Sequence, residues 1–401
     1  MPGCKHPNAE IDRSGEMQRS SSRIHSTEDA RRLARRRLPR IAYDFVEGAA
    51  GREVGSDRNE RRFDELMLQP RVMQDVTERN LGKSFLGRQY DLPFGIAPMG
   101  LCNLVWPGSD QVMGEIAKSL NLPVCISSSA SSRLEDMRRW AGDNAWFQLY
   151  FGRSEDASIR MVTRAGDAGY RVLVLTVDVP QLSRRVRDQR NGLNIPFRMS
   201  LRTCCDFCLH PRWLAATLMS GIPSPRNFAS GPEDSGFDRF ASRAGADWRF
   251  AERLRKLWPG EMVVKGVATA EEAVRIRNLG ADAVYVSNHG ARQLDSAPPA
   301  IDLLAPIRDA VGPDYPLLFD SGIRSGEDII KALACGADFV MMGRPVLYAL
   351  GADGAKGLNA LLNCFAVDVD IAMAQLGIRR IGEIGPHVIW NPDHPAEGAN
   401  R

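Results

Sequence analysis

The sequence predicts an α/β protein, a (β/α)8 TIM barrel with a long insertion after the fourth strand. From residue 94 onward, short apolar runs typical of buried parallel strands alternate with amphipathic stretches typical of helices. There are eight such runs, and eight strand–helix units close naturally into a barrel, whereas a doubly wound sheet, the alternative, does not require eight. The length of 401 residues, 44% of them apolar, fits one barrel with insertions.

Each predicted strand is followed by a helical or loop segment. The apolar runs are 94–98, 124–127, 146–150, 172–176, 262–265, 283–287, 317–320 and 339–343. The helical stretches include 110–120, 155–169, 270–279, 325–334 and 357–376. An earlier helix begins behind a hydroxyl cap at Ser26 and ends at Pro39.

The remaining segments lack this periodicity. Residues 1–25 are polar and rich in Ser and Arg, so we expect a disordered tail before a barrel domain over 26–385, with a second tail over 386–401. Residues 179–247 are rich in Pro, Gly, Ser and Arg. Insertions of this length are usually lids, docking loops or disordered segments. We interpret this one as a lid, with a membrane-facing loop that reaches a quinone as the alternative.

Charge and composition exclude several classes of protein. The 52 basic and 49 acidic residues leave a net charge of +3, so no nucleic-acid partner is expected. No apolar run approaches the roughly 18–20 residues that cross a bilayer, and the first 25 residues lack a signal-peptide core. We expect a cytoplasmic protein, with peripheral attachment to the inner face of the membrane as the alternative. The cluster Cys204, Cys205, Cys208 and His210 has a poor order for zinc, so no metal is expected.

Nearly every predicted strand ends in a polar, ionisable or backbone-exposing residue. The ends carry Met99 and Gly100, Ser127, Gln148 and Tyr150, Thr176 and Asp178, Lys265, Ser287 and His289, Asp320, and Gly343 and Arg344. Barrel enzymes place their chemistry at this face. Packing alone does not explain eight such endings, so the sequence predicts an active-site mouth.

The last two strand ends indicate a phosphate site. Residues 320–324 and 343–345 place glycines and two arginines after strands seven and eight, where barrels bind phosphate. Simple turns with capping glycines explain the glycines but not both arginines. The sequence therefore predicts a phosphate-bearing cofactor.

A second cluster indicates acid–base chemistry on an anion. His289 follows a strand and precedes Arg292 by three residues, which suits a proton acceptor beside a carboxylate clamp. Asp178 would orient the imidazole and stabilise its charged form, and Lys265 would add a cation to the same mouth. The set predicts an anionic substrate beside an electron-accepting ring.

Several motifs resemble those of the FMN-dependent α-hydroxy-acid oxidase and dehydrogenase family. They are YDFVEGAA at 43–50, WFQLY at 146–150, LTVDVP at 175–180, SNHGARQLD at 287–295 and DSGIR at 320–324. The resemblance covers residues 27–380, and the segment 100–107 looks most like the mandelate dehydrogenase branch, beside lactate dehydrogenases. It implies FMN as cofactor and oxidation of an L-2-hydroxy acid, mandelate- or lactate-like, to the 2-keto acid. Electrons would pass to quinone or another carrier, and a homo-oligomer, a tetramer by analogy, is expected.

The resemblance also implies roles for individual residues. His289 would be the base, with Asp178 as its partner and flavin N5 as the electron acceptor. Arg292 and Arg185 would hold the substrate carboxylate, and Tyr150 would hydrogen-bond near the reacting hydroxyl. Lys265 would lie at the flavin N1/O2 edge. The residues around the ring system would be Ser127, Gln148, Thr176 and Ser287, with Met99 and Gly100 beside it. Those at the phosphate would be Asp320, Ser321, Gly322, Arg324, Gly343 and Arg344.

Three positions bear on how closely the chain follows the family. Phe45 stands where the family usually has a Tyr that reaches the substrate carboxylate, so we expect weaker binding or a differently shaped substrate. Ala291 stands where Gly is common, which requires a negative φ at this position. Gly100 favours a dehydrogenase, whereas Ala would favour an oxidase.

The sequence leaves three alternatives open. In the first, the protein is an oxidase that uses oxygen and releases hydrogen peroxide. In the second, it is a flavin-binding scaffold that has lost catalysis. The third, a nicotinamide-dependent dehydrogenase, is disfavoured because no Gly-x-Gly-x-x-Gly turn opens a strand–helix unit.

Overall fold

The computed structural model describes residues 23–193, 200–228 and 242–391, and it confirms the predicted barrel. The strands are β1 (Lys83–Phe85), β2 (Arg88–Tyr90), β3 (Phe94–Met99), β4 (Val124–Ser127), β5 (Ala145–Tyr150), β6 (Val172–Thr176), β7 (Glu261–Val267), β8 (Ala283–Val286), β9 (Leu317–Phe319) and β10 (Phe339–Met342). Strands β3 to β10 pair in parallel, in chain order, and β10 closes the ring on β3. All eight predicted apolar runs therefore lie in the barrel.

Helices surround the barrel and fill its connections. They are α1 (Thr27–Arg37), α2 (Arg40–Glu47), α3 (Val54–Glu65), α4 (Ser109–Ser119), α5 (Leu134–Ala141), α6 (Glu155–Asp167), α7 (Val186–Arg190), α8 (Leu201–Leu209), α9 (Pro211–Ser220), α10 (Trp248–Leu257), α11 (Ala270–Asn278), α12 (Leu304–Val311), α13 (Gly326–Ala334) and α14 (Arg344–Gln375). Ser26 caps α1 as predicted, since its side chain accepts from the Asp29 N–H.

The hairpin β1–β2 covers the amino-terminal end of the barrel. Phe85 and Tyr90 from the hairpin contact Phe339 at the start of β10, with ring centroids 5.3 and 5.5 Å away. The Trp146 indole near the start of β5 donates to the Tyr90 hydroxyl at 3.3 Å. Because this end is filled by aromatic rings, the opposite end is the one that is open to chemistry.

The insertion contains helices that the sequence analysis did not predict. Helices α7, α8 and α9 lie within 179–247, where a loop without periodicity was expected. In α8 no residue is buried, so this helix lacks the apolar stripe that reveals amphipathic helices in a sequence. Trp213 of α9 anchors the segment, because its indole is buried and donates to the Leu104 carbonyl at 2.9 Å.

The ends of the packed chain differ slightly from the predicted boundaries. Ile24 is buried, and most of the predicted amino-terminal tail, residues 1–22, lies outside the described residues. At the other end Val388 is buried and Trp390 donates its N–H to the Met67 carbonyl at 2.8 Å. The packed part thus extends to 391 rather than 385, and the rest of the predicted tail, 392–401, lies outside the described residues.

Helix α14 is the one helix in the described ranges that is long and apolar enough to cross a membrane. Half of its most apolar window is buried, and it packs against α1, α4 and α13. Its backbone leaves helical geometry at Asp353 and Gly354. The apolar length of this helix is therefore accounted for by core packing.

Candidate active site

A cleft at the carboxyl ends of the barrel strands collects most of the predicted site residues. Those in its wall are Phe45, Met99, Gly100, Tyr150, Arg185, Lys265, His289, Arg292, Asp320, Ser321, Gly322, Arg324, Gly343 and Arg344. Those buried at or next to their strand ends are Ser127, Gln148, Thr176 and Ser287. Parallel strands in a closed ring all end at one face, which is why residues so distant in the chain meet here.

His289 is held between a carboxylate and a phenol. Its Nδ1 lies 3.0 Å from Asp178 Oδ1 and 3.1 Å from Oδ2, and its Nε2 lies 3.3 Å from the Tyr150 hydroxyl. The Tyr150 and His289 rings stack with their centroids 6.3 Å apart. Because Nδ1 faces the carboxylate, Nε2 is the nitrogen left for proton exchange.

The approach of Asp178 to His289 depends on Gly266, a residue the sequence analysis missed. Gly266 has φ +99°, and a Cβ at this position would lie 2.5 Å from both Cβ and Cγ of Asp178. The pairing of β7 with β8 shifts between Lys265 and Val267, so Gly266 lies in an irregular part of the strand. A glycine within a strand is the sequence signal that could have indicated this bulge.

The backbone that carries His289 is left-handed over three residues. The φ values are +58° at His289, +62° at Gly290 and +58° at Ala291. The expected negative φ at Ala291 is therefore wrong, and this alanine adopts a conformation that glycine adopts more readily. The conformation is held because Ala291 donates its N–H to Asn288 Oδ1 at 3.1 Å and accepts from the Ala50 N–H at 3.0 Å.

Lys265 places a buried positive charge at the base of the cleft. Its Nζ donates to Ser287 Oγ at 2.6 Å and to Asp320 Oδ2 at 2.7 Å, and it lies 4.3 Å from the centre of the Tyr285 ring. Burial alone would raise the pKa of Asp320, but the charge and hydrogen bond of Lys265 outweigh it and hold that pKa below its usual range. Asp320 is thus held as a carboxylate, and its hydrogen bond fixes the position of Lys265 Nζ.

Gln148 has a buried hydrogen-bond acceptor, its side-chain Oε1. Its Nε2 donates to Thr176 Oγ1 at 2.9 Å, whereas its Oε1 has no hydrogen-bond partner among the described residues. An unsatisfied buried acceptor costs about 1–3 kcal/mol. A bound group with an N–H donor would remove that cost, as a flavin ring does, so this residue fits the predicted cofactor.

Two arginines flank Phe45 in the cleft. The guanidinium carbons of Arg292 and Arg185 lie 5.4 and 5.7 Å from the centre of the Phe45 ring, and Arg292 also donates to the Phe45 carbonyl. Burial and the charges of Arg185 and Arg344 lower the pKa of Arg292. Two neighbouring cations in a buried wall suit a small carboxylate.

The two arginines of the predicted phosphate site also contact the protein. Arg344 donates to the carbonyls of Gly290 at 2.9 Å and Gly48 at 3.1 Å. Arg324 pairs with Glu60 at 2.6 Å. Between them Ser321 and Gly322 have φ +91° and +96°, so the backbone has positive φ at two successive residues where strand β9 ends.

Comparisons with known proteins agree with this geometry. A family model described as FMN-dependent dehydrogenase matches residues 34–391. The chain is 38% identical to (S)-mandelate dehydrogenase of Pseudomonas putida over 376 residues, which cover 92% of this chain and 95% of that protein. It is 34% identical to L-lactate dehydrogenase of Xanthobacter autotrophicus, covering 90% and 95%, and 34% identical to 4-hydroxymandelate oxidase of Amycolatopsis orientalis, covering 89% and 96%.

Solved structures show the same similarity. The structure of the monotopic membrane protein (S)-mandelate dehydrogenase superposes with a TM-score of 0.88 at 36% identity, covering 92% of this chain and all of that one. A mandelate oxidase superposes with a TM-score of 0.77 at 34% identity, covering 90% and 97%. The predicted barrel, cofactor and family are therefore confirmed, and the chain belongs to the FMN-dependent dehydrogenase family, whose members above act as 2-hydroxy-acid dehydrogenases and oxidases.

Proposed function

We propose that this protein oxidises an L-2-hydroxy acid, of the mandelate or lactate type, to the 2-keto acid and passes the electrons to quinone or another carrier. The observation that carries the proposal is the placement of His289 between Asp178 and Tyr150, in one cleft with two carboxylate-binding arginines. The names of the similar proteins support the same substrate class.

His289 acts as the base. It takes the proton at Nε2 while Asp178 holds Nδ1 and stabilises the imidazolium that forms. Tyr150, whose hydroxyl lies 3.3 Å from Nε2, directs the substrate hydroxyl toward this nitrogen. Burial raises the pKa of Tyr150, so the phenol stays protonated and acts as a hydrogen-bond donor.

Arg292 and Arg185 bind the substrate carboxylate. Both line the cleft beside Phe45, and Arg185 is oriented by Asp188 at 3.0 Å. Guanidinium groups match a carboxylate in a bidentate geometry, which fixes the hydroxyl-bearing carbon beside His289.

The cofactor is held by the residues at the strand ends. FMN supplies a two-electron acceptor when it is bound. Gln148 offers its buried Oε1 to the ring system, and Lys265 offers a fixed positive charge. Ser321, Gly322, Arg324 and Arg344 would hold the phosphate of FMN.

The test is reduction of the bound flavin by a 2-hydroxy acid without oxygen. Mixing the yellow holoenzyme anaerobically with (S)-mandelate or L-lactate should bleach its visible absorbance. His289→Gln should slow bleaching by about 10²–10⁴-fold, while His387→Gln, a substitution of an exposed histidine, should leave the rate unchanged. A flavoprotein that no 2-hydroxy acid bleaches would overturn the proposal and favour the scaffold.

The electron acceptor is proposed to be a carrier other than oxygen, on the basis of Gly100. A Cβ at this position would lie 3.0 Å from Ser129 Cβ and 3.1 Å from its carbonyl oxygen, so the backbone approaches closely where the family's oxidases carry a methyl group. Turnover with an artificial quinone should exceed turnover with oxygen as sole acceptor. Rapid peroxide formation in the second assay would favour the oxidase alternative.

The insertion is proposed to rest on a membrane surface on the cytoplasmic side. Its helices and the chain after them expose five large apolar side chains to between 70 and 87% of their area: Leu201, Leu209, Leu218, Met219 and Ile222. Five large exposed apolar side chains within one short segment favour an interaction surface, and a similar solved protein is described as monotopic. Holoenzyme should sediment with anionic phospholipid vesicles, and Leu218→Ser with Met219→Ser should weaken that binding. Equal sedimentation of wild type and variant would contradict this assignment.

A further inference from the structure

Trp213 of the insertion is fixed against a turn that reaches the cleft. Only 7% of this residue is exposed, and its indole N–H donates to the Leu104 carbonyl at 2.9 Å. The Phe207 ring of α8 packs against the indole, with ring centroids 5.0 Å apart. Leu104 ends a short 3-10 helix, Cys102–Leu104, that directly follows Gly100 and Leu101. The insertion is thus attached to the segment that leaves β3.

Leu101, at the start of this turn, has a left-handed backbone. Its φ is +56° and its ψ is +33°, and the residue lines the cleft. A leucine is costly in this conformation because its Cβ crowds the following carbonyl oxygen. A strained conformation of this kind persists only where the surrounding contacts hold it.

Hydrogen bonds at both ends hold the turn 101–104. Leu101 donates its N–H to the Ser129 carbonyl at 3.1 Å, and Leu104 donates its N–H to the Leu101 carbonyl at 2.9 Å. The Leu104 carbonyl, at the far end of the turn, accepts from the Trp213 indole. The first bond places the turn beside the segment after β4 and the second closes it. The third comes from the insertion, so the insertion helps to keep Leu101 in its strained conformation.

We propose that Trp213 is a positioning residue for the oxidation reaction, because it holds Leu101 in the wall of the cleft through the Leu104 carbonyl. This inference rests on the proposed function, since it concerns how the same cleft binds its substrate. Leu101 shares the wall with Val179 and Leu182, which are also apolar. Apolar side chains suit the side group on the reacting carbon rather than the carboxylate. A large apolar side group therefore depends on Leu101 more than a small one.

The experiment compares two acids that differ in the size of this group, (S)-mandelate with a phenyl and L-lactate with a methyl. Trp213→Phe keeps a ring against Phe207 and removes the indole N–H. KM for (S)-mandelate should rise about five- to tenfold, which corresponds to about half the contact of a leucine side chain. KM for L-lactate should change less than about twofold, and kcat should stay within about threefold, since His289 and Asp178 are untouched. An inhibition constant replaces KM where an acid binds without being oxidised.

This pattern differs from that of simple destabilisation. A loss of folded protein would lower kcat for both acids and leave both KM values unchanged. An equal change of KM for the two acids, or no change, would overturn the inference.

Two further variants locate the effect. Trp258→Phe is the matched control, because Trp258 is buried and its indole donates to the carbonyls of Arg171 and Glu261 at 3.2 and 3.1 Å, at the opposite end of the barrel. It should keep the wild-type ratio of the two KM values. Leu101→Gly adopts a positive φ without strain, so adding Trp213→Phe to it should change that ratio by less than about twofold. A change as large as in the wild-type background would overturn the inference.

Hydrogen exchange tests the same contact without turnover. In Trp213→Phe the backbone N–H groups of the turn 101–104 should exchange at least about tenfold faster than in wild type, while those of β6 stay protected. Unchanged exchange in the turn would overturn the inference. If no 2-hydroxy acid bleaches the flavin, the proposed function fails and this inference fails with it. If both acids are oxidised and Trp213→Phe keeps the wild-type ratio, the proposed function stands and only the role of Trp213 fails.

Discussion

By the resemblance to the family, Phe45 stands where a Tyr hydroxyl would reach the substrate carboxylate, and Phe45→Tyr would restore that hydroxyl. The ring is nearly buried in the cleft wall, with the guanidinium carbons of Arg292 and Arg185 at 5.4 and 5.7 Å from its centre. The substitution adds one oxygen to a ring that already lies between the two carboxylate-binding cations. It therefore leaves the packing of the ring unchanged and alters one hydrogen bond.

The expected gain follows from the charge of the acceptor. A hydrogen bond to a charged group contributes about 1.5–3 kcal/mol, which corresponds to about 10- to 150-fold in a binding constant. The two arginines already neutralise the carboxylate, so we expect the lower half of this range.

The assay is the dissociation constant of (S)-mandelate analogues that bind without being oxidised, read from the flavin absorbance, together with KM for the substrate. Phe207→Tyr serves as the control, because Phe207 packs against Trp213 in the insertion, with ring centroids 5.0 Å apart, and does not line the cleft. Tighter binding in Phe45→Tyr alone would support the assignment of the carboxylate site. An unchanged or weaker constant would refute it and place the carboxylate elsewhere.

Three other substitutions probe the site and its support. Gly266→Ala should displace Asp178 from His289, because the new Cβ would lie 2.5 Å from Asp178 Cβ. We therefore expect kcat to fall about 10²-fold with little change in KM. A kcat within threefold of wild type would contradict this. Gln148→Leu should weaken FMN binding to apoprotein about tenfold, measured by fluorescence quenching, because a buried acceptor is lost; unchanged affinity would exclude Gln148 from the cofactor site. Burial raises the pKa of Asp110 to about 6 from 3.8, so the folded state binds this proton more tightly than the unfolded state and gains stability as the pH falls through 6. The free energy of unfolding of Asp110→Asn, measured in urea, should therefore exceed that of wild type by about 3 kcal/mol at pH 8 and approach it near pH 4. A difference in unfolding free energy that does not depend on pH would contradict the burial of a charged Asp110.

The prediction from sequence succeeded where the signal is local. The apolar runs 124–127 and 172–176 coincide with β4 and β6, since a strand buried on both faces must be apolar along its whole length. It failed for α8, because a helix that buries no residue has no apolar stripe to detect, and it missed α9, which buries only Trp213 and Thr217. It also ended the packed chain at 385, since the short segment up to Trp390 is held by contacts with residues 67 and 68 that are distant in the chain.

The identity of the candidate active-site residues came from local motifs at strand ends, and a closed ring of parallel strands was enough to predict that they share one face. The distances among them depended on features with no local signature. Gly266 lets Asp178 reach His289, the left-handed Ala291 accepts a hydrogen bond from the distant Ala50, and Arg243 enters the cleft from the insertion. The sequence gives the type of each side chain directly. Backbone torsions and close approaches depend on packing between segments that are far apart in the chain, so they are known only from the tertiary structure.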